Sequence, residues 1–256
     1  MPRVKRRIFA GAVCEQQVYT ISDRAKSIKK AKPKKPRFKS EAEREKFNFE
    51  VAKREHRRKF NANFSPHSLF STLTFDPEEE VHDFPTAKKI RDNYYRRLQY
   101  ACPDARIAIY MGRGKSTHRI HFHMVSDGID PEIIQSKWNF GPVVRIERLR
   151  THNYTKDGKY IGQCYDGLAD YLFKHWEPEQ GKGSYHKISR NMKPPEREDV
   201  AECKREYTPS RPPISPKGYL YIGHEVNQYG FLCFKYVREP AERPPDRRPK
   251  GGRLKT

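Results

Sequence analysis

The alternation of apolar and polar positions is clearest in the middle of the chain. Residues 68–75 read SLFSTLTF, with Leu69, Leu73 and Phe75 on one side of an extended segment and Thr72 and Thr74, followed by Asp76, on the other. This pattern predicts a β-strand with one apolar and one polar face. Beyond Asp83 and Pro85, which suit a helix start, Ala87, Ile90, Tyr94, Leu98 and Ala101 recur at three- and four-residue spacing and predict a helix. A second strand is predicted over 106–111. The basic segment from Gly112 to Thr117 then turns the chain into a third strand, in which Ile120, Phe122 and Met124 alternate with His121 and His123. Asp130 as cap and Pro131 at the first helical position open a short helix carrying Ile134 and Trp138, which Gly141-Pro142 ends. A fourth strand over 143–149 and a helix over about 165–176 complete the region.

Strand, helix, strand, strand, helix, strand, helix is the order of a split βαβ, ferredoxin-like α+β antiparallel sheet. In that topology the first and third strands are central neighbours, so Thr72, Thr74 and Asp76 are expected beside the two histidines. The flanks read differently. Residues 1–66 are expected to form a basic N-terminal extension: an apolar stretch over 8–18, a Lys/Pro-rich linker over 24–37 and a charged helix over 40–60. Residues 67–195 form the sheet domain, 196–238 a Pro-rich connection with a β-hairpin, and 239–256 a basic disordered tail.

Charge narrows the partner. The chain of 256 residues carries 53 basic and 32 acidic side chains, a net +21, far beyond the needs of solubility and suited to a polyanion, most often nucleic acid. Aromatic residues make up 12% of the chain, and its fifteen tyrosines supply faces on which unpaired bases stack. Five cysteines, widely spaced and without a CxxC pair, exclude a zinc ribbon and a disulfide framework and fit a reducing, cytoplasmic setting. No apolar run approaches about eighteen residues, so no membrane partner is expected.

Two motifs carry chemistry. His121 and His123, at i and i+2 on a strand, share one face while Phe122 faces the other way, an arrangement that can hold a metal ion or can leave two solvated imidazoles. Tyr171 and Lys174, at i and i+3 on a helix, share a face as well. A tyrosine oxygen attacking phosphorus needs its charge stabilised, and a neighbouring ammonium with a metal ion provides that.

In this order, a strand ending in FSTLTF with Asp76, a His-hydrophobic-His strand, Trp138 with Gly141, and Tyr-x-x-Lys downstream, the motifs over residues 66–195 resemble the HUH endonucleases, in particular rolling-circle replication-associated (Rep) proteins. The whole chain, with VKRRIFAGAVCEQ, IYMGRGKSTHRIHFHMV and YLFKHW, looks like a replication-protein type from mobile elements of Gram-positive bacteria. The resemblance implies that His121 and His123 bind Mg or Mn and that the Tyr171 oxygen nicks single-stranded or hairpin DNA at an origin. A 5′-phosphotyrosine would form, a 3′-hydroxyl would prime a polymerase, and later rejoining would close the circle. Lys174 would stabilise the phenolate or the phosphate. Where related proteins often place Glu-x-Gly, this chain has Tyr110-Met111-Gly112; a third metal ligand is therefore left open among Asp76, Glu147, a main-chain oxygen and water.

Tyr160 and Tyr165 lack a one-turn spacing to Tyr171, so a single nucleophile is expected. Arg113, Lys115 and Arg119, and beyond the helix Lys187, Arg190 and Lys193, are candidate DNA-backbone contacts. No phosphate-binding GxxxxGK[ST] loop occurs, so helicase and polymerase functions would come from partners. Two other readings stay open: a non-catalytic nucleic-acid-binding protein with an RNA-recognition-like sheet, and a metal-dependent hydrolase using water.

Overall fold

The computed structural model describes residues 3–21, 38–79, 81–114, 117–174, 186–227, 230–242 and 244–246. Chain order runs β1 (Arg3–Ala10), β2 (Val13–Thr20), α1 (Glu41–Asn63), β3 (Leu69–Thr74), α2 (Phe84–Ala101), β4 (Arg106–Arg113), β5 (Ile120–Asp127), α3 (Pro131–Ser136), β6 (Val143–Arg148), β7 (Asn153–Tyr154), β8 (Tyr160–Gly162), α4 (Asp166–Phe173), β9 (His186–Ile188), β10 (Glu196–Arg197), β11 (Ala201–Glu202), β12 (Tyr219–Val226) and β13 (Leu232–Arg238). The fold is α+β with antiparallel sheets. It divides into two compact units, one of Met1–Ala62, Thr151–Tyr165 and Pro194–Thr256, the other of Asn63–Arg150 and Asp166–Lys193.

The first unit joins the two flanking segments, which the sequence pattern keeps apart, and takes in Thr151–Tyr165 from the expected sheet domain. The N-terminal extension and the C-terminal hairpin share one six-stranded sheet, in which β2 is hydrogen-bonded to β1 on one side and β13 on the other, with Cys14 opposite both Phe9 and Tyr236. The physical reason lies in β2, almost every residue of which is buried. Such a strand has no solvent face, so it needs a neighbour along both edges and cover on both sides. The β1–β2 turn is fixed by Gly11, whose φ of +59° suits glycine and whose missing Cβ would stand 2.2 Å from the Asn61 carbonyl oxygen of α1. The expected 24–37 linker and the end of the 239–256 tail lie outside the described residues.

The second unit is built on the five-stranded sheet β6-β3-β5-β4-β9. The first and third strands of the central region, β3 and β5, are neighbours, with Thr72 opposite His123, Leu73 opposite Phe122 and Thr74 opposite His121. Alternation sends Leu73, Phe122, Met124, Ile107 and Ile109 into one core with Tyr94 and Leu98 of α2, Ile134 of α3 and Trp138. Asp83 caps α2, its carboxylate accepting from the Thr86 N–H at 2.7 Å, and Asp130 caps α3 in the same manner. Beyond α3, the Trp138 indole donates to the Thr74 carbonyl at 3.0 Å, and the Asp76 N–H donates to the Phe140 carbonyl at 2.7 Å. Gly141 makes this closure possible: its φ is +146°, and a Cβ there would lie 2.4 Å from the Asp76 nitrogen. Strand β9, only three residues long, extends the sheet by pairing Ile188 with Ala108 and His186 with Tyr110.

Candidate active site

Antiparallel register aligns side chains of one face in rows across the sheet. One row of the second unit runs Arg145, Thr72, His123, Tyr110, His186, and the next pairs Thr74 with His121 and His121 with Gly112. The residue opposite His121 on β4 is thus a glycine.

His123 is nearly enclosed, 5% exposed. Its Nδ1 lies 3.3 Å from the Thr72 hydroxyl oxygen, and its ring stacks on Phe70 at 5.5 Å between centroids. Its Nε2 has two polar neighbours, the Tyr171 hydroxyl at 3.0 Å and the Nε2 of His121 at 3.2 Å. The ring of His121 also hydrogen-bonds the Arg119 main chain. Burial pushes the His121 imidazole below its ordinary range, a shift that this hydrogen bond opposes, and the resulting neutral ring is the form that ligates metals.

The two Nε2 atoms fit a shared ion. At a metal–nitrogen distance of about 2.1 Å, adjacent ligands stand about 3.0–3.4 Å apart, and the observed 3.2 Å falls within that span. With its proton on Nδ1, His123 turns the Nε2 lone pair toward the Tyr171 hydroxyl and His121 Nε2, where a cation held by both imidazoles can take it. An N–H on Nδ1 donating to Thr72 leaves the Nε2 lone pair directed at the site, the usual outer-shell device for a ligating histidine. Imidazole donors suit first-row transition ions and leave magnesium dependent on phosphate and water oxygens.

Among the described residues no group of three or more His, Cys, Asp or Glu side chains could hold a metal ion. The Asp76 carboxylate accepts from the Glu78 N–H at 3.2 Å and so stabilises the turn after β3, while Glu147 pairs with Arg145 and stands in the row of Phe70. Tyr110 occupies the place opposite His123 where an acid would approach it, and it is buried.

Tyr171 reaches the site from α4. That helix buries Ala169, Leu172 and Phe173, which leaves Tyr171 on its other side, 45% exposed, with its ring 5.3 Å from that of His123. Burial raises its phenol above the ordinary range. Lys174 follows the last residue of α4, exposed, its N–H donating to the Asp170 carbonyl at 3.1 Å.

The candidate DNA contacts separate. Arg119 is exposed and lines a cavity beside His121, whereas Arg113 lies over the Phe84 ring at 4.5 Å and Lys115 is outside the described residues. The Lys187 ammonium sits 5.3 Å from the Tyr95 ring centre, and Lys193 is held through its main chain by Asn63, while Arg190 is exposed. Tyr160 and Tyr165 belong to the first unit and are buried. Sequence reasoning placed Thr72 near the histidines but not as a partner of His123, and it missed Phe70 as a stacking surface. The alternation in FSTLTF is the signal that marks both as sharing the histidines' face. No family model matches the chain, and neither a curated protein nor a solved structure matches it.

Proposed function

We propose that this chain is a metal-dependent DNA nicking and joining endonuclease of the HUH type, a ferredoxin-like sheet domain with added elements that initiates rolling-circle replication. The observation that supports it most is the approach of the Tyr171 hydroxyl to within 3.0 Å of His123 Nε2, itself 3.2 Å from His121 Nε2. A phenol from α4 and two imidazoles from β5 thus converge on one point, beside which a phosphodiester would bind.

His121 and His123 would hold Mg or Mn, which supplies charge stabilisation at the phosphate. The Tyr171 oxygen attacks phosphorus, the bond from phosphorus to the 3′ oxygen breaks, and the phenol proton ends on that departing oxygen. One strand leaves with a free 3′-hydroxyl; the other stays joined to Tyr171 through its 5′ phosphate. Attack by a 3′-hydroxyl on this linkage reverses the step and restores the phenol, so the number of phosphate ester bonds is conserved and no nucleotide hydrolysis is needed. Lys174, at i+3 from Tyr171 and exposed just past the end of α4, would supply its ammonium to the phosphate. The strong positive charge suits a single-stranded or hairpin DNA origin. A helicase and a polymerase would act as partners, in the cytoplasm. Among the described residues no helix is long and apolar enough to cross a membrane.

The test is incubation with Mn and a pool of single-stranded oligonucleotides bearing hairpins, followed by SDS gels. A protein–DNA adduct that Tyr171→Phe abolishes is expected. Cleavage without an adduct would favour a water-using hydrolase, and binding without cleavage a non-catalytic module. Combined His121→Ala and His123→Ala should abolish nicking while salt-sensitive DNA binding persists; loss of both together would contradict the separation of roles.

A further inference from the structure

Strand β6 ends the five-stranded sheet: one edge is bonded to β3, and among the described residues no strand lies along the other. The other sheet ends are blunted. Strands β7, β8, β9, β10 and β11 span only two or three residues each, and the Ile222 carbonyl of β12 accepts from the Lys159 ammonium at 3.3 Å. The register of β6 shifts only at its start, opposite Thr72 and Leu73, and is regular from Arg145 to Leu149.

The phase of this ladder fixes which backbone groups face outward. The Leu149 N–H donates to the Ser68 carbonyl at 2.9 Å, and antiparallel bonding recurs at alternate residues. Arg145 and Glu147 therefore turn their N–H and C=O groups to β3, whereas Ile146 and Arg148 turn theirs away. The side chains of Arg145 and Glu147 share the histidine face, ion-paired with each other and 60% and 47% exposed. Ile146 lies half-buried against the core on the other face.

We infer that β6 pairs with β6 of a second copy of this chain, antiparallel and centred on Ile146, joining the two five-stranded sheets edge to edge. A two-fold axis at that centre sets Ile146 opposite itself, so each outward N–H meets the outward carbonyl of the other copy. It also sets Arg145 opposite Glu147 of the second copy, and Glu147 opposite the Arg145 of that copy, in the positions where Cα atoms approach to about 4.5 Å. With the ion pair inside each strand, the four charges alternate in sign at every neighbour. Centring on Arg145, Glu147 or Arg148 would set like charge against like. Charged edges ordinarily repel a foreign strand; this order of charges admits its own copy. Because the axis is perpendicular to the sheet, both His121–His123 pairs lie on one face, about five strand spacings or about 24 Å apart.

The test uses the full chain without DNA or metal. Sedimentation equilibrium up to about 100 μM, a range suited to a small interface, should show a dimer. Arg145→Glu and Glu147→Arg should each weaken it at least about tenfold, because either change turns both reciprocal pairs into like charges, and the two reversals combined should restore it to within about threefold. Amide hydrogen exchange in concentrated and dilute samples locates the contact: the outward amides of Ile146 and Arg148 should gain protection in the dimer, while those of Arg145 and Glu147, bonded to β3, should not change. A wild type that stays monomeric, a dimer indifferent to the single reversals, a combined reversal no better than either alone, or protection confined to other segments would overturn the inference.

Discussion

The two sheets of this protein treat their polar residues in opposite ways. In the six-stranded sheet of the first unit, charge is paired: Arg58 of α1 meets Glu15 of β2 at 2.5 Å, both 3% exposed, and the half-buried Glu225 of β12 is held by Lys235 at 2.8 Å and Arg57 at 2.6 Å. In the five-stranded sheet the candidate site joins Thr72, His123, His121 and Tyr171, linked nitrogen to oxygen and nitrogen to nitrogen, with His123 buried and Tyr171 45% exposed. A buried ion pair satisfies itself and has nothing left to offer a ligand, and its chief consequence is to punish any other packing of α1. Two imidazoles whose Nε2 atoms stand 3.2 Å apart are spaced as adjacent ligands of one ion. Function is therefore sought in the second arrangement, although the first contains the stronger individual interactions.

The comparison breaks if variants in the two sheets have the same kind of effect. The largest expected difference is at Tyr171→Phe, which should lower DNA adduct formation by about a thousandfold or more with an unchanged urea unfolding midpoint; a midpoint shift would make Tyr171 a structural residue. Arg58→Ala should do the reverse. It leaves the Glu15 carboxylate buried and unpaired, which costs about 3–5 kcal/mol of stability, measured by urea unfolding, with Mn affinity retained in the protein that remains folded.

A smaller effect sharpens the description of the candidate site. Thr72→Val removes the partner of His123 Nδ1 and should weaken Mn binding about tenfold, the usual scale for an outer-shell partner, while Thr72→Ser restores it. Calorimetric or paramagnetic titration of Mn reads this without any turnover, and unchanged affinity would remove Thr72 from the site.

The smallest effect is a pH dependence in the first unit. Burial pushes the Glu225 carboxyl up, but Lys235, Arg57 and Arg54 together outweigh it and hold the group at about 2 instead of its ordinary 4.5. A folded value below the unfolded one means that this stabilisation is fully present above about pH 4.5 and is lost progressively as pH falls through about 2. Thermal unfolding of the wild type and of Glu225→Gln between pH 6 and 2 should therefore converge at the acid end. Parallel curves would show that the carboxylate gains nothing from its cations.

Much of the second unit is legible in one dimension. The period-two pattern of SLFSTLTF and of Ile120, Phe122 and Met124, the three-four spacing of α2, and the caps Asp83 and Asp130 are local consequences of backbone geometry, and each element stands where its pattern places it. The shared face of His121 and His123 follows from the same alternation. What a linear pattern does not carry is the choice of partner. Strand β2 is paired with β13, more than two hundred residues away, because burial of both its faces has to be met by whichever strand fits its register. The same holds at the site. Thr72 becomes a neighbour of His123 through strand register, and Tyr171 comes within hydrogen-bonding distance of it, 48 residues along the chain, because α4 packs through Ala169, Leu172 and Phe173 and leaves its other side free. Asp76, one of the open candidates for a third metal ligand and the one that strand adjacency favours on paper, is drawn into a turn by the Glu78 N–H. Residue identity and alternation thus specify which groups share a face, whereas their distances depend on competition among many distant segments for burial and hydrogen bonds.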